Sequence, residues 1–327
     1  CLVVLFFTHG SFAQEPSKPE HEKRVYLNEG NTYVQKSLPL YLKFSTSPTG
    51  KNYDLKSKAT SEYADPMYLD TEGVNYIRTK WAVDKETKKT VSPQREILYE
   101  VYADGLAPRT TVKFSGAPKY VGSKVFYGKG LKFDLSSTDG VSGVEKIHFG
   151  LNASSYSDYS NTVDVASENE YNLFFYAHDN VGNAETTKSR NFVVDVTAPS
   201  SSIEISGIKY GDNIIAPSTK FNLSSTDQLS GVRGTYHNFD SNNKRVYSYP
   251  VSTAGLKDGQ HTIYYWATDK VKNEATKQSL SFYLDLIPPT SEASINGDLC
   301  EKNYKYISPR TKLSITANDN KAGVKNI

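Results

Sequence analysis

The sequence predicts an all-β chain of tandem sandwich modules arranged as a rod, and three observations carry that expectation. The first is a repeat of about 90 residues, a period that means an array of similar units. FDLSSTDGVSGV (133–144) returns as FNLSSTDQLSGV (221–232) and as LSITANDNKAGV (313–324). YAHDNVGNAE (176–185) returns as WATDKVKNEA (266–275), with a fainter copy in WAVDKETKKT (81–90). The second is alternation. LKFDLSSTD (131–139) puts Leu131, Phe133 and Leu135 on one face, and YNLFFYAHD (171–179) does the same with Tyr171, Leu173, Phe175 and Ala177; a period of two is the mark of a strand. The third is composition. Aromatic residues make up 12% of the chain, 24 of them Tyr, and the abundant Tyr, Val and Thr suit half-buried strands, with Ser and Asn for polar turns.

The elements follow in chain order. Residues 2–7 (LVVLFF) with Ser11-Phe12-Ala13 read as a truncated signal peptide over 1–13, an apolar core followed by small residues. The Pro-containing, charged segment 14–24 reads as a flexible leader. A divergent module is expected over 25–108, regular modules over 109–199 and 200–289, and a truncated one over 290–327. Spacing supports these boundaries: Asp139 to Asp227 is 88 residues, Asp179 to Asp269 is 90, and so is Asp195 to Asp285. Within a regular module about seven short strands joined by turns are expected in about 90 residues, the pattern of an immunoglobulin-like sandwich. The junctions DVTAP (195–199) and DLIPP (285–289) pass straight into the next strand, and their prolines restrict the backbone.

The D-x-x-SGV turn, the (Y/W)-A-x-D-x-x-x-N turn and the D-x-x-PP junction resemble bacterial immunoglobulin-like repeats of exported proteins. DGQHTIYYWATDKVKNEA (258–275) is similar to the leptospiral outer-membrane-protein repeat often labelled "beta-barrel". The resemblance covers about 109–327 well and 25–108 poorly. It departs at Lys272, where the family has Gly, whereas Gly182 keeps it. It implies an envelope or extracellular location, sometimes with adhesion. SFAQE (11–15) resembles the ends of signal peptides common in Bacteroidota, so the expected setting is an exported protein of a Gram-negative bacterium, associated with the outer membrane, on the cell surface or secreted.

Composition excludes some classes. Net charge is +2 with mixed signs, which leaves no basic stripe for nucleic acid. Beyond the N-terminal run no stretch nears the ~20 apolar residues of a membrane-spanning helix, and the mean hydropathy of −0.55 speaks against a lipid-facing barrel. Cys1 and Cys300 make no disulfide framework. The six histidines (9, 21, 148, 178, 237, 261) are scattered with no zinc-binding spacing, and His148 and His178 read as ordinary strand residues. Gly122 to Gly128-Lys129 mimics a phosphate loop, but has the wrong spacing and no Ser or Thr after the lysine. Neither a catalytic motif nor a required cofactor is expected, and nothing in the sequence indicates an oligomer.

Two constellations remain. In an immunoglobulin-like sandwich the B–C and F–G loops share one pole with the preceding junction. Asp104, Asp139 and Asp179 are therefore expected to converge, as are Asp195, Asp227 and Asp269, and then Asp285 and Asp319. Grouped carboxylates are ligands for calcium; alternatively, aspartates in turns simply accept backbone N–H bonds. The other constellation is the second face of the F-like strand, where Phe174, Tyr176, Tyr264 and Trp266, with Trp81 in the first module, offer an aromatic platform for a glycan or protein ligand. The competing expectation is that this face is covered. Functionally the sequence favours a non-catalytic spacer or adhesive stalk, with an accessory, carbohydrate-binding region of a larger secreted enzyme as the alternative.

Overall fold

The computed structural model describes residues 14–41, 43–54, 66–78, 82–83, 86–87, 90–91, 97–240 and 243–327. Trp81 and the signal-like segment lie outside them. The chain divides into two compact units, one of residues 1–117 and 123–194 and the other of residues 118–122 and 195–327.

In the first unit, residues 109–117 and 123–194 form a sandwich. One sheet holds the strands Val163–Val165, Leu131–Thr138 and Arg109–Ser115 in that spatial order. The other runs Val125–Tyr127, Lys188–Val194, Asn169–Asp179, Val144–Leu151 and Ser157–Asp158. Alternation explains the core. Leu131, Phe133 and Leu135 are buried on one face of their strand, while Lys132 between them and Ser136 after them are exposed. From the facing sheet come Tyr171, Leu173, Phe175 and Ala177, and from the last strand Phe192 and Val194. Phe192 meets Phe114 edge-on with ring centroids 5.1 Å apart and stacks on Tyr171 at 5.4 Å. Each such side chain contributes about 1.5–3 kcal/mol on burial.

The second unit repeats this plan. Ser200–Ser206, Lys220–Thr226 and Val251–Ser252 form one sheet, and Ile214–Ile215, Gln278–Leu284, Gly259–Asp269, Val232–Phe239 and Arg245–Val246 run in order across the other. Its core is Ile215, Phe221, Leu223, Ile263, Tyr265, Phe282 and Leu284 among others. Both modules break register at the same place, between Val144 and Lys146 and between Val232 and Gly234. Both also pair a short strand parallel to the last strand, Phe126 opposite Val193 and Ile214 opposite Tyr283. The divergent first module keeps that signature, with Tyr33 opposite Tyr102 in parallel. The last stretch opens another module with Thr290–Asn296 antiparallel to Lys312–Asn318. The sequence expectation of an all-β chain of tandem β-sandwich modules therefore holds.

Residues 14–24, expected to be a flexible leader, lie along the first unit. Pro16 packs over Gly150, Arg24 N–H donates to the Val181 carbonyl at 3.1 Å, and Arg24 also pairs with Glu145. Gly182, at φ +93°, admits this segment: a Cβ there would stand 2.2 Å from the Glu22 carbonyl oxygen.

Candidate functional site

The predicted aspartates do come together. Asp104 ends the strand Ile97–Asp104, Asp139 opens the turn after Leu131–Thr138, and Asp179 ends Asn169–Asp179. One carboxylate oxygen from each lies within 4.8 Å of the others. Asp195, Asp227 and Asp269 form an equally tight group inside the second unit. Asp104, Asp179, Asp195 and Asp269 are fully buried.

Turn chemistry explains their positions. Asp139 Oδ1 accepts from Val141 N at 3.1 Å and Gly143 N at 2.8 Å, and Asp227 Oδ1 accepts from Leu229 N and Gly231 N in the same way. Gly143, Gly231 and Gly323 all have φ near +80°, the left-handed position that closes such a turn. Asp179 Oδ1 accepts from Val181 N and Asn183 N at 3.0 and 2.8 Å, while Oδ2 accepts from Asn183 Nδ2 at 2.7 Å. Asn183 Nδ2 also reaches the Asp104 carbonyl at 3.2 Å, and Asp104 Oδ2 accepts from Ser142 N at 3.0 Å. The second copy matches it: Asn273 Nδ2 donates to Asp269 Oδ2 at 2.7 Å and to the Asp195 carbonyl at 2.9 Å, and Asp195 Oδ2 accepts from Ser230 N at 3.0 Å. A third begins where Asp285 Oδ2 accepts from Ala322 N at 3.1 Å and Asp319 Oδ1 from Gly323 N at 2.8 Å.

Each joint thus links the residue closing one repeat to two turns of the next. Burial raises the Asp179 pKa to about 6; the Asp104 charge adds to the rise and the Asn183 bonds oppose it. Asp269 is raised by the same causes, with burial first and Asp195 and Asp227 as the neighbouring charges. The Ser142 and Ser230 hydroxyls beside these carboxylates are buried and have no hydrogen-bond partner. A cleft lined by Glu72, Asp104, Arg109 and Asp139 opens beside the first group.

The aromatic face turns out to be covered. Tyr176 and Trp266 are 0% and 2% exposed, so they form no open platform. Lys18 of the leader lies over the Tyr176 ring at 4.6 Å and Tyr156 meets it edge-on at 4.9 Å. Trp266 is covered by Tyr236 and by Lys277, whose Nζ is 4.4 Å from a ring centroid. Phe174 and Tyr264 are half-buried. Lysine stems hide these rings, and binary alternation carries no information about what crosses a strand from elsewhere.

No known protein-family profile matches the chain, and no curated protein matches it. Among solved structures, the chain is similar to the fibronectin(III)-like modules of Clostridium thermocellum CbhA, at 14% identity and a TM-score of 0.31, over 54% of this chain and 94% of that one. Among the described residues no helix is long and apolar enough to cross a membrane.

One group of residues escaped the sequence reading. His21, His148 and His178 each place a ring nitrogen within 4.8 Å of the others. His148 and His178 are neighbours across two strands, since His148 faces Tyr176 and Lys146 faces His178 in the register. The sequence signal for it is slight: Tyr176 and His178 share a face, and only the strand pairing brings in His148. His21 comes from the leader, stacked on His178 with centroids 3.8 Å apart.

Proposed function

We propose that this chain is a non-catalytic exported envelope or surface protein, a spacer or adhesive stalk of tandem sandwich modules. The observation that carries this reading is the repeated joint. Asp104, Asn183 and Asp179 in one copy, and Asp195, Asn273 and Asp269 in the next, couple the last residue of one repeat to the turns of its successor. Joints that bond backbone to buried carboxylates resist bending, as a spacer requires. The bacterial repeats that the sequence resembles supply the expectation of export.

Calcium at these joints belongs to the same proposal. Three oxygens from three carboxylates at each of the first two joints, with an unpartnered buried hydroxyl on Ser142 or Ser230 beside them, are the hard donors calcium takes. The ion would offset both the burial and the neighbouring carboxylate charges that raise Asp179 and Asp269.

Small-angle scattering of the purified chain tests the spacer. Deleting residues 200–289 is expected to shorten the maximum dimension by one module. An unchanged dimension refutes the spacer reading, and protease shaving of intact cells that leaves the chain uncut refutes surface exposure. Thermal unfolding with and without a chelator tests calcium; coincident transitions remove it from the joints while leaving the spacer standing.

A further inference from the structure

His148 and His178 pose a chemical problem. Their rings lie nearly coplanar, 13° apart with centroids at 5.0 Å, and His148 Nε2 faces His178 Nδ1 at 3.0 Å. Each ring has a carboxylate at its other nitrogen. His148 Nδ1 donates to Asp158 Oδ1 at 3.0 Å, and His178 Nε2 donates to Glu145 Oε2 at 3.2 Å. Each carboxylate has a cation beside it: the Lys146 ammonium lies 2.8 Å from Asp158, and the Arg24 guanidinium pairs with Glu145. An ionised carboxylate only accepts, so each neutral imidazole spends its single N–H outward. The two nitrogens that face each other are then both bare lone pairs.

Two lone pairs at hydrogen-bonding distance repel, and a cation between them relieves that repulsion. A proton is a poor candidate, because His148 and His178 are 8% and 6% exposed, and burial penalises a charged ring. A metal ion needs those same lone pairs in their neutral form. Imidazoles backed by carboxylates are the arrangement that fixes metal-binding histidines, with the outer partner setting tautomer and raising basicity. His21 supplies a third imidazole. Its ring stacks on His178 and its Nε2 lies 3.2 Å from Tyr176 Oη, and a nitrogen of that ring is already within 4.8 Å of a nitrogen on each of the other two.

We propose that His148, His178 and His21 bind a zinc-class divalent ion, with Glu145 and Asp158 as positioning residues behind the first two. Tetrahedral Zn–N bonds of about 2.0–2.1 Å put ligand nitrogens about 3.3 Å apart, so the facing pair needs to part by only a few tenths of an ångström. A water molecule or Tyr176 Oη completes the shell. The ion would fasten the leader to its module, because His21 is the one ligand from outside the sandwich. The site is absent from the following module, where the register puts Tyr236, Thr268, Arg233 and Val246 in place of His148, His178, Glu145 and Asp158.

The test is titration of the tag-free chain with Zn²⁺ alone, followed by calorimetry, with Co²⁺ absorbance as a direct report on coordination. We expect one ion per chain, visible Co²⁺ bands, and slower proteolysis of residues 14–24 once metal is bound. His148→Gln and His178→Gln should each abolish the bands, and Asp158→Ala, at an exposed position, should weaken binding about tenfold. His237→Gln and Cys300→Ser should leave affinity unchanged. A wild-type chain that gives no Co²⁺ bands, or an affinity that Asp158→Ala and the histidine variants do not alter, overturns the proposal, whatever the scattering shows.

Discussion

The second and third modules are built on one plan and differ mainly on one face. At the joint they match atom for atom: Asn183 and Asn273 each bridge two aspartates, and Ser142 and Ser230 each donate a backbone N–H to the carboxylate that precedes the module. On the outer face of the F-like strand they share a buried aromatic ring with a lysine over it, and little else. The second module places His148, Tyr176 and His178 there under the leader, and the third places Tyr236, Trp266 and Thr268 under lysine side chains. The repeat therefore preserves how modules are closed and joined, and leaves the face free to acquire separate chemistry.

The comparison breaks most visibly at the covered rings. Tyr176→Ala and Trp266→Ala should each cost about 3–5 kcal/mol in thermal unfolding, as large buried rings do. If Trp266→Ala unfolds at the wild-type temperature, the cover seen over it is not stabilising. The joint comes next. Asn183→Ala should cost about 2–3 kcal/mol, because buried carboxylate oxygens lose a donor; Asn273→Ala should cost somewhat less, since Asn273 is only half-buried. Equal losses would mean that burial does not set the strength of the joint.

Acid separates the modules by sign. Asp179 has its folded pKa raised to about 6, so its penalty is fully present above that value and fades as pH falls towards the unfolded carboxyl near 4. His178 has its folded pKa lowered to about 4, by burial first and then by the neighbouring His21; its contribution is intact above the unfolded value near 6.5 and is lost between there and 4. In metal-free protein the two oppose in the second module: near pH 5 the Asp179 relief is about 1 kcal/mol and the His178 loss about 2 kcal/mol. His178→Gln should therefore turn a flat or falling response between pH 7 and 5 into a rising one, read from denaturant midpoints. A response unaltered by that substitution removes His178 as the opposing group.

The smallest effect sharpens the contrast at the F–G turn. Lys272 occupies with φ +72° the place where the second module has Gly182. Lys272→Gly should stabilise by at most about 1 kcal/mol, the strain a side chain carries there. Gly182→Ala should instead displace the Glu22 backbone, and accelerated proteolysis within residues 14–24 would report it.

Much of this was legible. The turn aspartates declared themselves because an Asp two and four residues ahead of its N–H partners is a local device, fixed by short sequence separations such as Asp139 to Gly143. Core alternation was readable at Leu131, Phe133 and Leu135 for the same reason. The histidine group was hidden because 127 residues of chain part His21 from His148, and because the pairing of His148 with Tyr176 depends on a register that no local pattern fixes. For Tyr176 and Trp266 the sequence left an open platform and a covered face both standing for a related reason: what lies over them is a lysine from the leader in one case, and lysines from neighbouring loops in the other.

Asp104 precedes the turn it caps, and so does Asp195. The folding unit is consequently staggered against the repeating unit by a few residues. A module cut at its first strand, at Arg109 for example, would leave its own keystone behind on its neighbour, with Ser142 N–H unbonded. A chain made from its N-terminus meets the opposite circumstance. Each new module emerges beside a carboxylate already in place, and its B–C turn finds its acceptor upstream.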